Sequence, residues 1–125
     1  MFLDRLNEVL LPKKSFIQDP INLFSLGTSI IINIIHWAIL GSNIKPNQGN
    51  ILLHYNVVTG ADLINKSIYI YWLPALALIL FFINYFIASW IYKKEKLAAY
   101  FINIGTIPVQ LIFLVATLVL ISING

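Results

Sequence analysis

The chain has 125 residues, 59% of them hydrophobic and only 10% charged, with a net charge of +3 and no cysteine. Soluble domains carry about 25% charged residues, so this composition excludes a water-soluble globular domain. The missing cysteines exclude disulfides, thiolate metal sites and a cysteine nucleophile.

The opening MFLDRLNEVLLPKK sets Phe2, Leu3, Leu6, Val9 and Leu10 at helical spacing, with Asp4, Arg5, Asn7 and Glu8 opposite. The pattern predicts an interfacial amphipathic helix within residues 1–16, ended by Pro12, that lies on the inner leaflet of a membrane or docks a partner. Asp4 and Glu8 precede the apolar run and no small-residue cleavage site closes it, which argues against a cleavable secretory signal. Asp19 and Pro20 then suit a helix cap and a first helical turn.

Three runs, residues 21–41, 68–92 and 97–123, are free of Asp, Glu, Lys and Arg in their middles. Each is long enough to cross a hydrocarbon layer, which takes about 20 apolar residues at about 1.5 Å each. The expected fold class is an all-α membrane protein of one domain, residues 1–125, with three transmembrane helices, the interfacial helix and an extended extracytoplasmic loop over residues 42–67.

The basic residues set the expected orientation. Arg5, Lys13 and Lys14 precede the first span and Lys93, Lys94 and Lys96 fill the link between the second and third, so six of the eight Lys and Arg fall on one side. The positive-inside rule puts that side, with the N-terminus, in the cytoplasm, and the loop and C-terminus outside. Aromatic residues support two interfacial belts: Trp37, Tyr69, Tyr71 and Trp72 at the outer boundary, and Tyr85, Trp90, Tyr92 and Tyr100 at the inner one.

In 51-ILLHYNVVTGADLI-64, Ile51, Leu53, Tyr55 and Val57 alternate with positions that include His54 and Asn56, predicting a strand over residues 51–58. Gly49, Asn50 and the following TGAD supply turn chemistry, with Asp62 placed to cap a short helical turn. The preceding SNIKPNQ reads as loop, leaving no evident partner strand in the chain. The strand is expected to lie over the helix tops as a lid, or to pair with another chain. As a lid it would gather His54, Tyr55, Asn56 and Asp62 near His36, which lies about 8 Å from the outer end of its helix. That cluster is read as a hydrogen-bonded group or a ligand or partner surface. Two His and one Asp on scattered positions make a poor metal set, so no metal and no cofactor are expected.

Polar residues within the spans should turn toward other helices, because lipid offers them no partner. Counted from the inner ends at about 1.5 Å per residue, Asn33 and Gln110 lie about 18 to 20 Å deep and Asn84 and Asn103 about 9 to 12 Å deep. Two pairs are expected, Asn33 with Gln110 and Asn84 with Asn103, aided by the small residues Ser25, Gly27, Ser29 and Gly105. The competing readings are compositional drift in a chain rich in Ile, Asn and Lys, and the lining of a conducting path. Pro108 predicts a kink in the third span.

Catalytic signatures are missing: no GxSxG elbow, phosphate loop, HExxH or close carboxylate pair occurs. No carboxylate lies at depth to couple transport to an ion.

The string LHYNVVTGADLI, followed by WLP at 72–74, a lysine-rich turn and a last span ending in ISIN, resembles an uncharacterised family of small three-span membrane proteins of reduced-genome candidate-phylum bacteria. The resemblance covers residues 51–124, with Thr59 where the family favours an aromatic residue. It implies the architecture, a bacterial source and a single feature made of His54, Tyr55, Asn56, Gly60 and Asp62; it implies no chemistry.

The sequence therefore leads to a non-enzymatic, multi-pass protein of the bacterial cytoplasmic membrane, whose partners are the lipid bilayer and either copies of itself or other membrane subunits, with no nucleic acid. The alternative is a small oligomeric channel or transporter lined by Asn33, Asn84, Asn103 and Gln110. A holin-like pore is disfavoured by the uncharged ISING end.

Overall fold

A computed structural model describes residues 2, 5, 15–47, 49–56 and 60–124, by backbone alone over 52–56 and 60–65. Within them run α1 (Pro20–Asn43), β1 (Asn50–Asn56), β2 (Gly60–Lys66), a 3-10 turn (Ser67–Tyr71), α2 (Trp72–Tyr92) and α3 (Lys96–Asn124). The interfacial helix expected over residues 1–16 falls largely outside the described residues, as do positions 57 and 58 of the expected strand.

Among the described residues three helices are long and apolar enough to cross a membrane, which makes the chain a multi-pass membrane protein. Their boundaries have local causes. Asp19 accepts from the Ile21 amide at 3.0 Å and Pro20 occupies the first turn of α1, satisfying a helix end that would otherwise leave its amides bare. The Lys93–Glu95 link is held by amide bonds from Lys94 and Glu95 to the Ile91 carbonyl, 2.8 Å each. Helix α3 runs unbroken through Pro108.

α3 packs along both α1 and α2, which touch each other less. Only 22–33% of the residues in the most apolar window of each span are buried inside the chain, so most of each helix surface is left for lipid. The outward side chains are apolar, among them Phe24, Ile31, Trp90, Phe101 and Ile112. The interior carries the polar ones: Asn22, Ser25, Ser29, Asn33 and His36 of α1 and Asn103, Thr106, Gln110 and Thr117 of α3 are all buried, with Asn22 bonded to Asn103, Asn33 to Gln110 and His36 to Thr117. In α1 these residues recur at steps of three and four and in α3 at steps of three, four and seven, spacings that keep side chains near one helix face. Without a hydrophobic drive between helices in lipid, hydrogen bonds and close packing across this seam are what hold the helices together.

Apolar clusters close the two ends. At one end Phe16 packs with Ala88, Tyr92 and Ala99, its ring edge-on to both Tyr85 and Tyr92 at centroid distances of 5.5 Å. At the other, Leu40, Ile44, Ile70 and Leu120 pack around Ile51 from β1.

The loop departs from expectation. β1 pairs antiparallel with β2 in a two-stranded sheet, from Asn50 opposite Lys66 to Asn56 opposite Gly60. The unpaired strand expected from the sequence is thus one arm of a hairpin, and Asp62 lies in β2 rather than capping a helical turn. Backbone pairing places GADLINK in a strand despite its turn-forming residues, since ladder bonds are indifferent to side chains. Register irregularities flank His54, between Leu52 and Tyr55, so the expected strict alternation is broken there. The hairpin base is fastened by Ser67, whose amide donates to the Gly49 carbonyl at 2.7 Å and whose hydroxyl donates to the Pro46 carbonyl at 2.8 Å. Gly49 has φ of +104°, a conformation that side chains resist.

Candidate functional site

The polar seam is the one place where buried side-chain chemistry is concentrated among the described residues. It is built in layers, starting at the end that carries the Lys93–Lys96 turn.

Asp19 forms the first layer. One carboxylate oxygen takes the Ile21 amide; the other accepts from the Tyr92 hydroxyl at 2.6 Å and from the Tyr100 hydroxyl. One carboxylate thereby joins the start of α1, the end of α2 and the start of α3. Burial disfavours its charge, but the Tyr100 and Tyr92 hydroxyls, the Ile21 amide and the nearby Lys96 charge outweigh that and hold the carboxyl below the usual aspartate range. Tyr92 and Tyr100 were expected in an interfacial belt; they stand near that level, but their hydroxyls turn inward. Trp90 remains outward, with the Lys94 ammonium 5.4 Å from its ring.

Above it, Asn103 donates to the Asn22 side-chain oxygen at 2.7 Å, and Asn22 donates to the Phe16 carbonyl at 3.0 Å. Asn84 donates instead to the Thr106 hydroxyl at 3.0 Å, and Thr106 donates to the Ile102 carbonyl at 2.9 Å. The expected Asn84–Asn103 pair is therefore replaced by two separate contacts. Depth along a helix fixes height and leaves rotation open: residues 103 and 106 are about 60° apart around an axis of 3.6 residues per turn, so one faces α1 and the other α2.

The central layer joins all three helices. Asn33 donates to the Gln110 side-chain oxygen at 3.1 Å and to the Pro74 carbonyl at 3.2 Å, while accepting from the Trp37 indole at 3.0 Å. Gln110 donates to the Ala77 carbonyl at 2.8 Å. Higher still, His36 shares a 2.6 Å hydrogen bond with the Thr117 hydroxyl. His36 is fully buried in the seam, with Thr117 of α3 as its hydrogen-bond partner.

The side chains of His54, Tyr55, Asn56 and Asp62 lie outside the described residues, and so does their expected meeting with His36. Their backbones are placed: His54 opposite Leu63, Tyr55 opposite Ala61, and Asn56 at the hairpin tip opposite Gly60. Among the described residues no three His, Asp or Glu side chains gather as metal ligands.

Of the small residues expected as packing aids, Ser25 and Ser29 face inward, but a side chain at Gly27 or Gly105 would meet nothing within 4 Å. The two glycines do not mediate helix contacts. Alongside Asp19, Tyr92 and Tyr100, which the sequence offered separately as a helix cap and belt residues, three residues not singled out from sequence complete the seam: Asn22, Thr106 and Thr117. Their signal was the run of polar residues at steps of three and four in α1 and of three, four and seven in α3.

Comparison with protein families, with curated proteins and with solved structures finds no match for this chain.

Proposed function

We propose that this chain is a small non-enzymatic, non-conducting integral membrane protein that serves as a subunit of a homo-oligomer or of a larger membrane complex. The observation that carries this is the fate of the intramembrane amides. Asn33, Asn103 and Gln110 are at most 2% exposed and bond to partners within the chain, and Asn84 bonds to Thr106. Their inward placement supports a structural clamp and disfavours the alternative of an oligomeric pore lined by them. Copies meeting through the outer faces would enclose Ile, Phe and Leu side chains rather than amides. The breadth of that apolar surface, with three helices burying so little of one another, supports association with further membrane helices.

The orientation belongs to the same reading: the Asp19 end, with Lys93, Lys94 and Lys96, in the bacterial cytoplasm, and the hairpin outside. The hairpin, tied to the helix tops through Ile51 and Ser67, carries His54, Tyr55, Asn56 and Asp62 along its strands, and the same reading takes this stretch as an outer ligand or partner surface.

The test is reconstitution of the purified chain in liposomes. No passage of ions or small solutes is expected; a robust flux abolished by Gln110→Leu would overturn the reading. Native mass spectrometry of the protein extracted from its host should show copies of the chain or other membrane subunits bound to it, and a bare monomer under gentle extraction would count against a subunit role.

A further inference from the structure

The seam is not uniformly satisfied. Four buried side-chain atoms have no hydrogen-bond partner among the described residues: the hydroxyls of Ser25 and Ser29, the amide oxygen of Asn103 and Nδ1 of His36. Three of them fall in one interval. Ser25 and Ser29 lie one turn apart on the inner face of α1, and Asn103 is fixed by its bond to Asn22, one turn below Ser25. All three residues are at most 1% exposed.

Burying a hydroxyl or amide oxygen without a partner costs about 1 to 3 kcal/mol, and lipid cannot supply the missing bond. Serine in a helix can relieve the cost by bonding back to the carbonyl four residues earlier, yet neither Ser25 nor Ser29 does so here. One turn is about 6 Å of rise at four residues, a gap that one water closes with two hydrogen bonds of about 2.8 Å. Three unpartnered polar atoms spread over about two turns of α1 suit a short run of buried water, each molecule needing about 2 to 4 polar partners.

The interval has a floor and a ceiling. Below, Asn22 and Asn103 bond to each other; above, Asn33 and Gln110 are engaged with each other, with Trp37 and with the Pro74 and Ala77 carbonyls. Nδ1 of His36 lies beyond that ceiling and is not part of the same group.

We infer that Ser25, Ser29 and Asn103 form an internal water-binding site, enclosed between the Asn22–Asn103 pair and the Asn33–Gln110 layer. Water bound there completes the clamp between α1 and α3. The site is closed above by the Asn33–Gln110 layer, so it holds water without forming a file across the bundle, and it stands whether or not the chain works as a subunit.

The test is water-to-protein polarisation transfer in solid-state NMR on the labelled full chain in phosphatidylcholine bilayers. Signals from Ser25, Ser29 and the Asn103 side chain should build up from water several-fold faster than those of Ala77 and Ala88, which are equally buried but apolar. Build-up no faster than at the alanines would overturn the site. Ser29→Ala should slow transfer to Asn103, with unchanged Asn33 and Gln110 shifts reporting an intact bundle. Should that variant fail to fold, the wild-type comparison with the alanines decides alone; unchanged transfer to Asn103 in a folded Ser29→Ala would also overturn the proposal.

Discussion

Asn33 and Gln110, 77 residues apart in the chain, meet side chain to side chain at 3.1 Å in the middle of the bundle. The two amides are cross-braced, because each also bonds the backbone of α2 through the Pro74 or Ala77 carbonyl. Interhelical hydrogen bonds in membranes contribute about 0.6 to 2 kcal/mol, and stranding a buried partner costs about 1 to 3 kcal/mol. Gln110→Leu and Asn33→Leu should each lower stability by about 1 to 3 kcal/mol. The double variant should lose less than the two single losses combined, since the second change removes an already stranded group. Reversible unfolding in mixed micelles measures this; strict additivity would mean that the pair is not coupled.

The Asp19 group gives a pH dependence of defined sign. Its folded-state pKa lies below the ordinary 3.8, so its contribution to stability is fully present above that value and disappears as pH falls through the lower, folded-state one. The chain should therefore lose thermal stability on acidification below about pH 4. Asp19→Asn keeps a competent helix cap but carries no charge to titrate, so its melting temperature should be lower at neutral pH and flatter toward acid. Tyr92→Phe should weaken the same acid limb by removing one donor to the carboxylate. An acid limb in Asp19→Asn as steep as in the native chain would assign that limb to other carboxylates.

Orientation is open to a direct measurement because the chain has no cysteine, so a single introduced thiol labels without background. Lys94 and Asn47 are both exposed and lie in the links at opposite ends of the bundle. In intact spheroplasts, Asn47→Cys should react with a membrane-impermeant maleimide and Lys94→Cys only after the membrane is opened. The reverse pattern would invert the orientation drawn from the positive-inside rule.

The parts of this fold legible in sequence are those written in one dimension. Span positions follow from hydropathy, the Asp19–Pro20 start of α1 from cap chemistry, and the Asn33–Gln110 contact from counting depth along two helices. What escaped depends on rotation or on backbone pairing. Asn84 and Asn103 share a depth, but face different neighbours. Tyr92 and Tyr100 occur where belt residues belong, and nothing in their positions reveals that both hydroxyls converge on Asp19. The strand Gly60–Lys66 carries Gly, Asp and Asn, so its side chains argue against the structure that its backbone makes with Asn50–Asn56.

Ile51 is the apolar side chain of β1 that the described contacts place in the cluster of Leu40, Ile44, Ile70 and Leu120. It sits at the base of the hairpin opposite Asn65, one residue beyond the Asn50–Lys66 pair. Two-stranded hairpins are marginal by themselves, so this anchorage is what should keep the sheet ordered on the helix tops. Truncating a buried Ile to Ala removes about 2 to 5 kcal/mol in a well-packed site. Here the loss should fall on docking of the hairpin more than on the bundle, because the three spans are joined by the separate polar seam. In Ile51→Ala, amide hydrogen exchange across residues 50–66 should accelerate by at least an order of magnitude, while amides near Asn33 and Gln110 keep their protection. Unchanged exchange in the hairpin would show that the Ser67 bonds to Gly49 and Pro46 hold it without Ile51, and loss of protection throughout would show that the cap and the seam unfold as one unit.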